Sequence, residues 1–382
     1  MIDFAQLRRW PDIEAPELVA HDATDRLLLD TAAEVAADVL TGHPGDVVVV
    51  GDRHGALTLG AAELVRASGG AAAAADPVVR VHQDSLAGEL ALAANAARLV
   101  PAARWAGHDL EPALVAGARL VLLQLPRGLD ALDEIAELVA EHAHPDVVVL
   151  AGGRVKHMTR AMNDVLARRF DAVSAGLARQ KSRVLTARGP RRGGGASWPR
   201  TSRHGDLVVA AHGAAFAGST IDIGTRALLA ELGGVAPEAR EVVDLGCGTG
   251  VLAVSFALAR PGAHVVATDQ SAAAVASARL TAEANGVADR VDVVRDDAAA
   301  SLPAGSVDVV LLNPPFHVGA TVHTAIAHKL FEAAARVLRP GGELWCVWNS
   351  SLGYRPELSR VVGPTTQVSR TAKFTVTRSV RR

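Results

Sequence analysis

Short apolar runs alternate with helix-length stretches twice along this chain, and that rhythm restricts the fold more than any other feature. In the C-terminal half, Glu241 to Leu245, Val265 to Thr268, Val291 to Val294, Val307 to Leu312 and Glu343 to Trp348 read as strands. Val251 to Leu258, Ala272 to Asn285 and Ala325 to Leu338 read as the intervening helices, the last stopped by Pro340, Gly341 and Gly342. Two short runs, Thr366 to Val368 and Phe374 to Val380, close the chain. Strands separated by helices need right-handed crossovers, which predicts an α/β, mostly parallel, doubly wound sheet.

The N-terminal half repeats the pattern. Val47 to Val50, Val78 to Val81, Leu120 to Leu125 and Val147 to Ala151 read as strands, and Leu86 to Leu99 as a helix. Set side by side, VVVVGDRHGAL faces EVVDLGCGTGVL, and VLLQLPRG faces VLLNPPFH. The expectation is two tandem Rossmann-like domains with a diverged first copy. Arg53 stands where the second copy has Gly248, and Gln124 where it has Asn313, so the first copy is expected to have lost its ligand. Residues 186–206 are rich in Gly, Pro, Arg and Ser without apolar periodicity. They are expected to be a basic linker or loop between a first domain at 1–185 and a second at 207–382.

A length of 382 residues fits two domains of ordinary size. Net charge is −2, but residues 178–204 carry eight Lys and Arg and no Asp or Glu. Such a block either attracts a polyanion or is a solvated linker. The two cysteines, Cys247 and Cys346, make no disulfide framework and lack metal-ligand spacing, so no metal site is expected. Met1 to Trp10 has no signal-type apolar run, and no apolar stretch reaches the roughly 20 residues that span a bilayer. A cytoplasmic chain without a membrane partner is expected, with a monomer as the favoured state.

The strongest local signal is Asp244, Leu245, Gly246, Cys247, Gly248, Thr249 and Gly250, between a predicted strand and a predicted helix. Glycines there turn the backbone tightly and let a ligand lie against it. Asp269 ends the next strand, where a carboxylate can accept both ribose hydroxyls of an adenosine. The spacing G-x-G-x-G is one residue tighter than the dinucleotide fingerprint. It suits S-adenosylmethionine, which has an amino-acid portion in place of a pyrophosphate, with Asp244 near the ammonium group.

Asn313, Pro314, Pro315 and Phe316 follow the fourth strand, at the edge where open α/β sheets bind ligands. An exocyclic amine on a base is a poor nucleophile, because its lone pair is delocalised into the ring. The Asn313 oxygen and the Pro314 carbonyl can accept from the NH2, orienting the nitrogen and offsetting its developing charge. Two prolines stiffen the loop, and Phe316 can stack on the base. Transfer then depends mainly on positioning. It requires no metal and no covalent intermediate.

These motifs, with HGAAFAGSTIDIGTRALLAEL and a tail holding Asn349, Leu352, Tyr354, Lys373 and Phe374, resemble the class I ribosomal RNA guanine-N2 methyltransferases. LRRWP, HDATDRLLL, LQLPRGLDALDEIAELV and AGGRVKHM are similar to the first domain of the 23S-type branch more than the 16S-type branch. The resemblance implies a methyl donor held by Gly246, Gly248, Gly250 and Asp269. It implies that Asp297, or its neighbour Asp296, contacts the adenine. Asp222 and Thr225 then either wall the cofactor or cap the helix from Arg226. His317 either contacts the base or lies idle. Lys156, His157, Lys181 and Arg183 become candidate contacts to phosphates of ribosomal RNA or of a ribosomal subunit. The inert first domain becomes a docking module, and Cys247 a small loop residue and no nucleophile. Two alternatives stay open. One is glutamine methylation in a release factor, where Tyr is usual in place of Phe316. The other is a non-catalytic RNA-binding assembly factor.

Overall fold

Four consecutive valines form β1 (Val47–Val50), and all four are buried. A strand covered on both faces needs no polar alternation. Val47 and Val49 pack into one apolar cluster with Leu28, Leu57 and Leu122, while Val48 and Val50 pack with Val121, Leu132 and Val165 on the opposite face. A computed structural model describes residues 2–68, 78–315 and 320–382 of the chain, which forms two units, Met1–Ser197 and Trp198–Arg382.

Around β1, the first unit places β2 (Val79–His82), β3 (Trp105–Gly107), β4 (Leu120–Gln124), β5 (Val148–Arg154), β6 (Phe170–Ala175) and β7 (Ser182–Pro190) in the order β3-β2-β1-β4-β5-β7-β6. The first five are parallel, and β7 runs antiparallel to both β5 and β6. Helices Ala23–Val35, Ala56–Ser68 and Leu86–Leu99 cover one face, and Leu129–His142 and Arg160–Arg169 the other.

The second unit begins with a hairpin, β8 (Arg200–His204) and β9 (Leu207–Ala211). Its sheet contains β10 (Glu241–Leu245), β11 (His264–Asp269), β12 (Val291–Arg295), β13 (Val307–Leu312), β14 (Leu338–Asn349), β15 (Thr365–Arg370) and β16 (Phe374–Val380). The order β12-β11-β10-β13-β14-β16-β15 repeats that of the first sheet strand for strand. The doubly wound, tandem Rossmann-like architecture is therefore present in both halves. Hairpin and helix Ala272–Ala284 are tied by bonds from Ala210 N to Thr281 Oγ1 (3.1 Å) and from His212 N to Ser277 Oγ (2.9 Å).

The segment 186–206 is not a free linker throughout. Residues 186–190 belong to β7, with Ala187 in register with both Val149 and Val173, and residues 200–204 form β8. Its glycine and arginine content hides strands whose partners are supplied from elsewhere in the chain. β3, β6 and the hairpin are likewise absent from the sequence reading. They are short or polar, and backbone pairing fixes them more than an apolar pattern does.

Candidate active site

Leu245, at the end of β10, is in register with Thr268 of β11 and Leu312 of β13. Gly246, Asp269 and Asn313 therefore leave one stretch of sheet edge side by side. The turn folds back onto β11: Gly246 N and Cys247 N both donate to Thr268 O, at 2.8 and 3.0 Å. Gly248 N donates to Asp269 Oδ2 at 3.0 Å, and Asp269 Oδ1 accepts from Ser271 N at 2.9 Å. Gly246, Gly248 and Gly250 have φ of 75°, 54° and 78°, a region that costs other residues about 1–2 kcal/mol. Their surroundings differ. A β-carbon on Gly250 would lie 3.0 Å from Ala278 Cβ, whereas on Gly246 or Gly248 it would meet nothing within 4 Å among the described residues. Gly250 thus permits helix packing, while the first two leave open space beside the backbone.

Asp244 is fully buried. One oxygen accepts from Ala253 N at 3.0 Å, and Oδ1 has no partner. Burial first, and then the charge of Asp269, push its carboxyl up to about 7 despite the Ala253 bond. The same burial, followed by Asp269 and Asp244, holds the Cys247 thiol far above its ordinary value, so it offers no thiolate nucleophile.

Asn313 is held by a segment 88 residues earlier. Its Nδ2 donates to Thr225 Oγ1 at 2.9 Å and to Asp222 Oδ2 at 3.3 Å. Asp222 also caps helix Ile223–Leu229, accepting from Gly224 N at 2.8 Å and Thr225 N at 3.3 Å. With both amide hydrogens directed there, Oδ1 is left as a buried acceptor without a partner among the described residues. Gly224 and Phe374 close in from that side: a β-carbon on Gly224 would lie 3.3 Å from Asn313 Oδ1 and 3.2 Å from the Phe374 ring. Neither residue was assigned a role from sequence. Pro314 is buried and Pro315 exposed; Phe316 and His317 lie outside the described residues.

Asp297 carries an ion pair that sequence reading missed, with Lys329 Nζ 2.5 Å from its Oδ2. Opposite charges 32 residues apart give no local signal. The neighbouring Asp296 is committed to Ser301, accepting from its N and Oγ at 2.9 and 2.6 Å. Ala298 and Ala299 follow with φ of 54° and 52°, strained positions for alanine. Lys156, Lys181 and Arg183 lie in the first unit, away from this constellation in sequence and sheet. Lys156 and Lys181 are exposed and Arg183 is half-buried.

A buried acceptor left unpaired costs about 1–3 kcal/mol, so two at the tips of adjacent strands call for a ligand that donates. Open glycine backbone, a carboxylate at the end of the neighbouring strand and those acceptors fit S-adenosylmethionine. Together with the strand order, they define a class I S-adenosylmethionine-dependent methyltransferase. The Methyltransferase small domain family matches residues 206–378, and the RLMG N-terminal domain family matches residues 2–191. The chain belongs to the ribosomal RNA large subunit methyltransferase G family. The member from Streptomyces coelicolor is 36% identical, over 98% of this chain and 97% of its own length. The member from Pseudomonas putida is 36% identical, over 97% and 96%. The T. thermophilus 16S rRNA N2 methyltransferase, solved with AdoMet and guanosine, shares the fold across both units. Its TM-score is 0.70 at 22% identity, over 95% of this chain and 92% of its own. Among the described residues, no helix is long and apolar enough to cross a membrane.

Proposed function

We propose that the chain methylates the exocyclic N2 amine of a guanine in large-subunit ribosomal RNA, acting as a cytoplasmic monomer. The observation that carries this is the Asn313 amide, turned so that its oxygen is a buried acceptor with no partner among the described residues, at the sheet edge that holds the glycine turn. Relatives named for large-subunit rRNA supply the RNA, and the guanosine in the structural neighbour supplies the base.

Gly246 and Gly248 would lie along the cofactor, Gly250 would seat the helix behind it, and Asp269 would take the ribose. Asp244 would face the amino-acid portion through Oδ1. Asp297, paired with Lys329, would border the adenine end. Bound there, S-adenosylmethionine supplies an electrophilic methyl on a positively charged sulfur. Asn313 Oδ1 and the Pro314 carbonyl accept the two N–H bonds of the amine. This turns its lone pair out of the ring and stabilises the charge that grows on nitrogen until the methylated nitrogen gives up one N–H proton. Pro314 and Pro315 hold the start of the loop stiff. Thr225, expected at the cofactor, acts here through Asn313, with Asp222. A base reaches this edge only by leaving its stack, which is least costly in a single-stranded loop.

The test is labelled methyl transfer to large subunits, small subunits, extracted rRNA and release factor, with nucleoside mapping of the product. N2-methylguanine in large-subunit RNA is expected. Transfer confined to release factor, or the absence of transfer to every RNA, would overturn the proposal.

A further inference from the structure

One segment of the second unit crosses from the cofactor side of the site to the substrate side. β9 runs along helix Ala272–Ala284 towards that helix's start: Val208 N donates to Asn285 Oδ1 at 3.0 Å, and His212 N to Ser277 Oγ at 2.9 Å. The start of this helix follows β11 and Asp269. Further along the chain, Asp222 and Thr225 receive the amide of Asn313, which follows β13. β10 lies between β11 and β13 in the sheet. Residues 213–221 are therefore a strap from one side of the glycine turn to the other.

The strap is anchored at intervals and presents one ring. Ser219 is held by the hairpin: its Oγ lies 2.8 Å from Ser202 Oγ, and its carbonyl accepts from His204 Nε2 at 2.8 Å. Thr220 Oγ1 donates to Ala217 O at 2.7 Å, and Ala215 is buried. Between these ties Ala217 and Gly218 both turn left-handed, with φ of 63° and 56°. Strain of this kind at an alanine persists only where the surroundings enforce it, and it gathers at functional sites. Residues 213–221 read GAAFAGSTI, without a charge and with Phe216 as the one aromatic. Phe216 is 56% exposed, and Ile223, just past the strap, is 58% exposed. No other large apolar side chain described in the second unit is as exposed as these two. They stand on either side of Asp222, the residue that turns Asn313. A neutral strap has nothing to offer a phosphate, whereas an exposed ring offers a base a flat apolar face.

We propose that Phe216, with Ile223, packs on the bases that flank the target guanine, taking up the stacking that the guanine gives up when it leaves the RNA strand. The proposal rests on the rRNA activity proposed above and names the residues that meet the substrate next to the reacting base. Extrusion leaves a bare face on each neighbouring base. Phe216 covers one such face with a ring, and Ile223 adds apolar area at the far end of the strap. Stacking tolerates any base, so it steadies the extruded state without selecting the neighbours. The segment that carries Phe216 also orients Asn313 through Asp222 and Thr225, so docking of the flanking bases and aim of the reacting amine are set by one continuous stretch of chain.

The test compares wild type with F216A, F216L and F216Y in the full chain. Labelled transfer to large-subunit rRNA gives kcat/KM, calorimetry gives cofactor affinity, and thermal melting gives stability. F216A is expected to lower kcat/KM for rRNA by about 5- to 100-fold, the range of one lost base–aromatic stack. Its cofactor affinity should stay within about twofold of wild type, and its melting temperature within a few degrees. F216Y should recover most of the loss and F216L little of it, because leucine has no flat face. If F216A does not fold, F216L against F216Y decides alone. Wild-type kcat/KM in F216A, or equal recovery by leucine and tyrosine, would overturn this inference and leave the activity standing. A fall in cofactor affinity that matches the fall in kcat/KM would also overturn it, by assigning the ring to the methyl donor. A wild type that methylates no RNA would overturn both.

Discussion

Thr225 Oγ1 accepts a 2.9 Å hydrogen bond from Asn313 Nδ2, so a helix that precedes every strand of the second seven-stranded sheet decides which way the Asn313 amide points. Removing the hydroxyl with Thr225→Val leaves a donor unpaired and the amide free to turn, at about 1–3 kcal/mol. If that geometry matters only when the amine is bound, kcat falls roughly 10- to 100-fold while cofactor affinity stays within about twofold. Thr225→Ser, which keeps the acceptor, should restore most of the rate. Steady-state kinetics with rRNA and calorimetry with cofactor measure the two. Equal losses in rate and cofactor affinity would instead place Thr225 at the cofactor itself.

Gly224 gives a second view of the same oxygen. A methyl group there would lie 3.3 Å from Asn313 Oδ1, 3.0 Å from Asp222 Oδ2 and 3.2 Å from the Phe374 ring. Gly224 lies within helix Ile223–Leu229 and its backbone is not left-handed, so helix propensity favours Ala over Gly by about 1 kcal/mol. Gly224→Ala is therefore expected to melt within a few degrees of wild type, yet lose about tenfold or more in transfer because the acceptor is crowded. A fully active G224A would show that the amine does not approach Oδ1.

Much of this site was legible in the sequence because its chemistry sits on short contiguous motifs. The glycine turn, Asp269 and the Asn-Pro-Pro loop each follow a strand, and the apolar runs placed those strands. What escaped notice was relational. Whether Asp222 caps its helix or faces the site could not be decided from spacing, and the structure shows it doing the first while also holding Asn313. Lys329 and Asp297 meet only because a helix and a strand end pack together.

Asp244 sets a pH dependence for cofactor binding. Its carboxyl, pushed up to about 7 chiefly by burial, is largely protonated below that pH in the free protein. A cationic ligand favours the ionised form. Affinity for S-adenosylmethionine should therefore be level above about pH 7.5 and fall as pH drops through 7, approaching tenfold per unit. Asp244→Asn keeps an oxygen for Ala253 N and removes the titration. Its affinity should be lower than wild type at pH 8 and nearly flat between pH 6 and 8. A variant with the wild-type slope would assign the proton to another group.

The second and third glycines of the turn should separate stability from binding. Gly248 and Gly250 share a left-handed backbone, with φ of 54° and 78°, so an alanine at either costs about 1–2 kcal/mol from that source. At Gly250 the added methyl would also sit 3.0 Å from Ala278 Cβ and 3.1 Å from its Cα, atoms of the packed helix that cannot swing aside. Overpacking of this kind adds about 1–3 kcal/mol. At Gly248 the methyl meets no described residue beyond its chain neighbours within 4 Å and projects into the space where a ligand would lie. Gly250→Ala should therefore be the less stable of the two by thermal melting, and Gly248→Ala should retain most of its stability while losing cofactor affinity. The opposite order would place the ligand on the far side of the turn, because open space beside Gly248 is what admits a cofactor there.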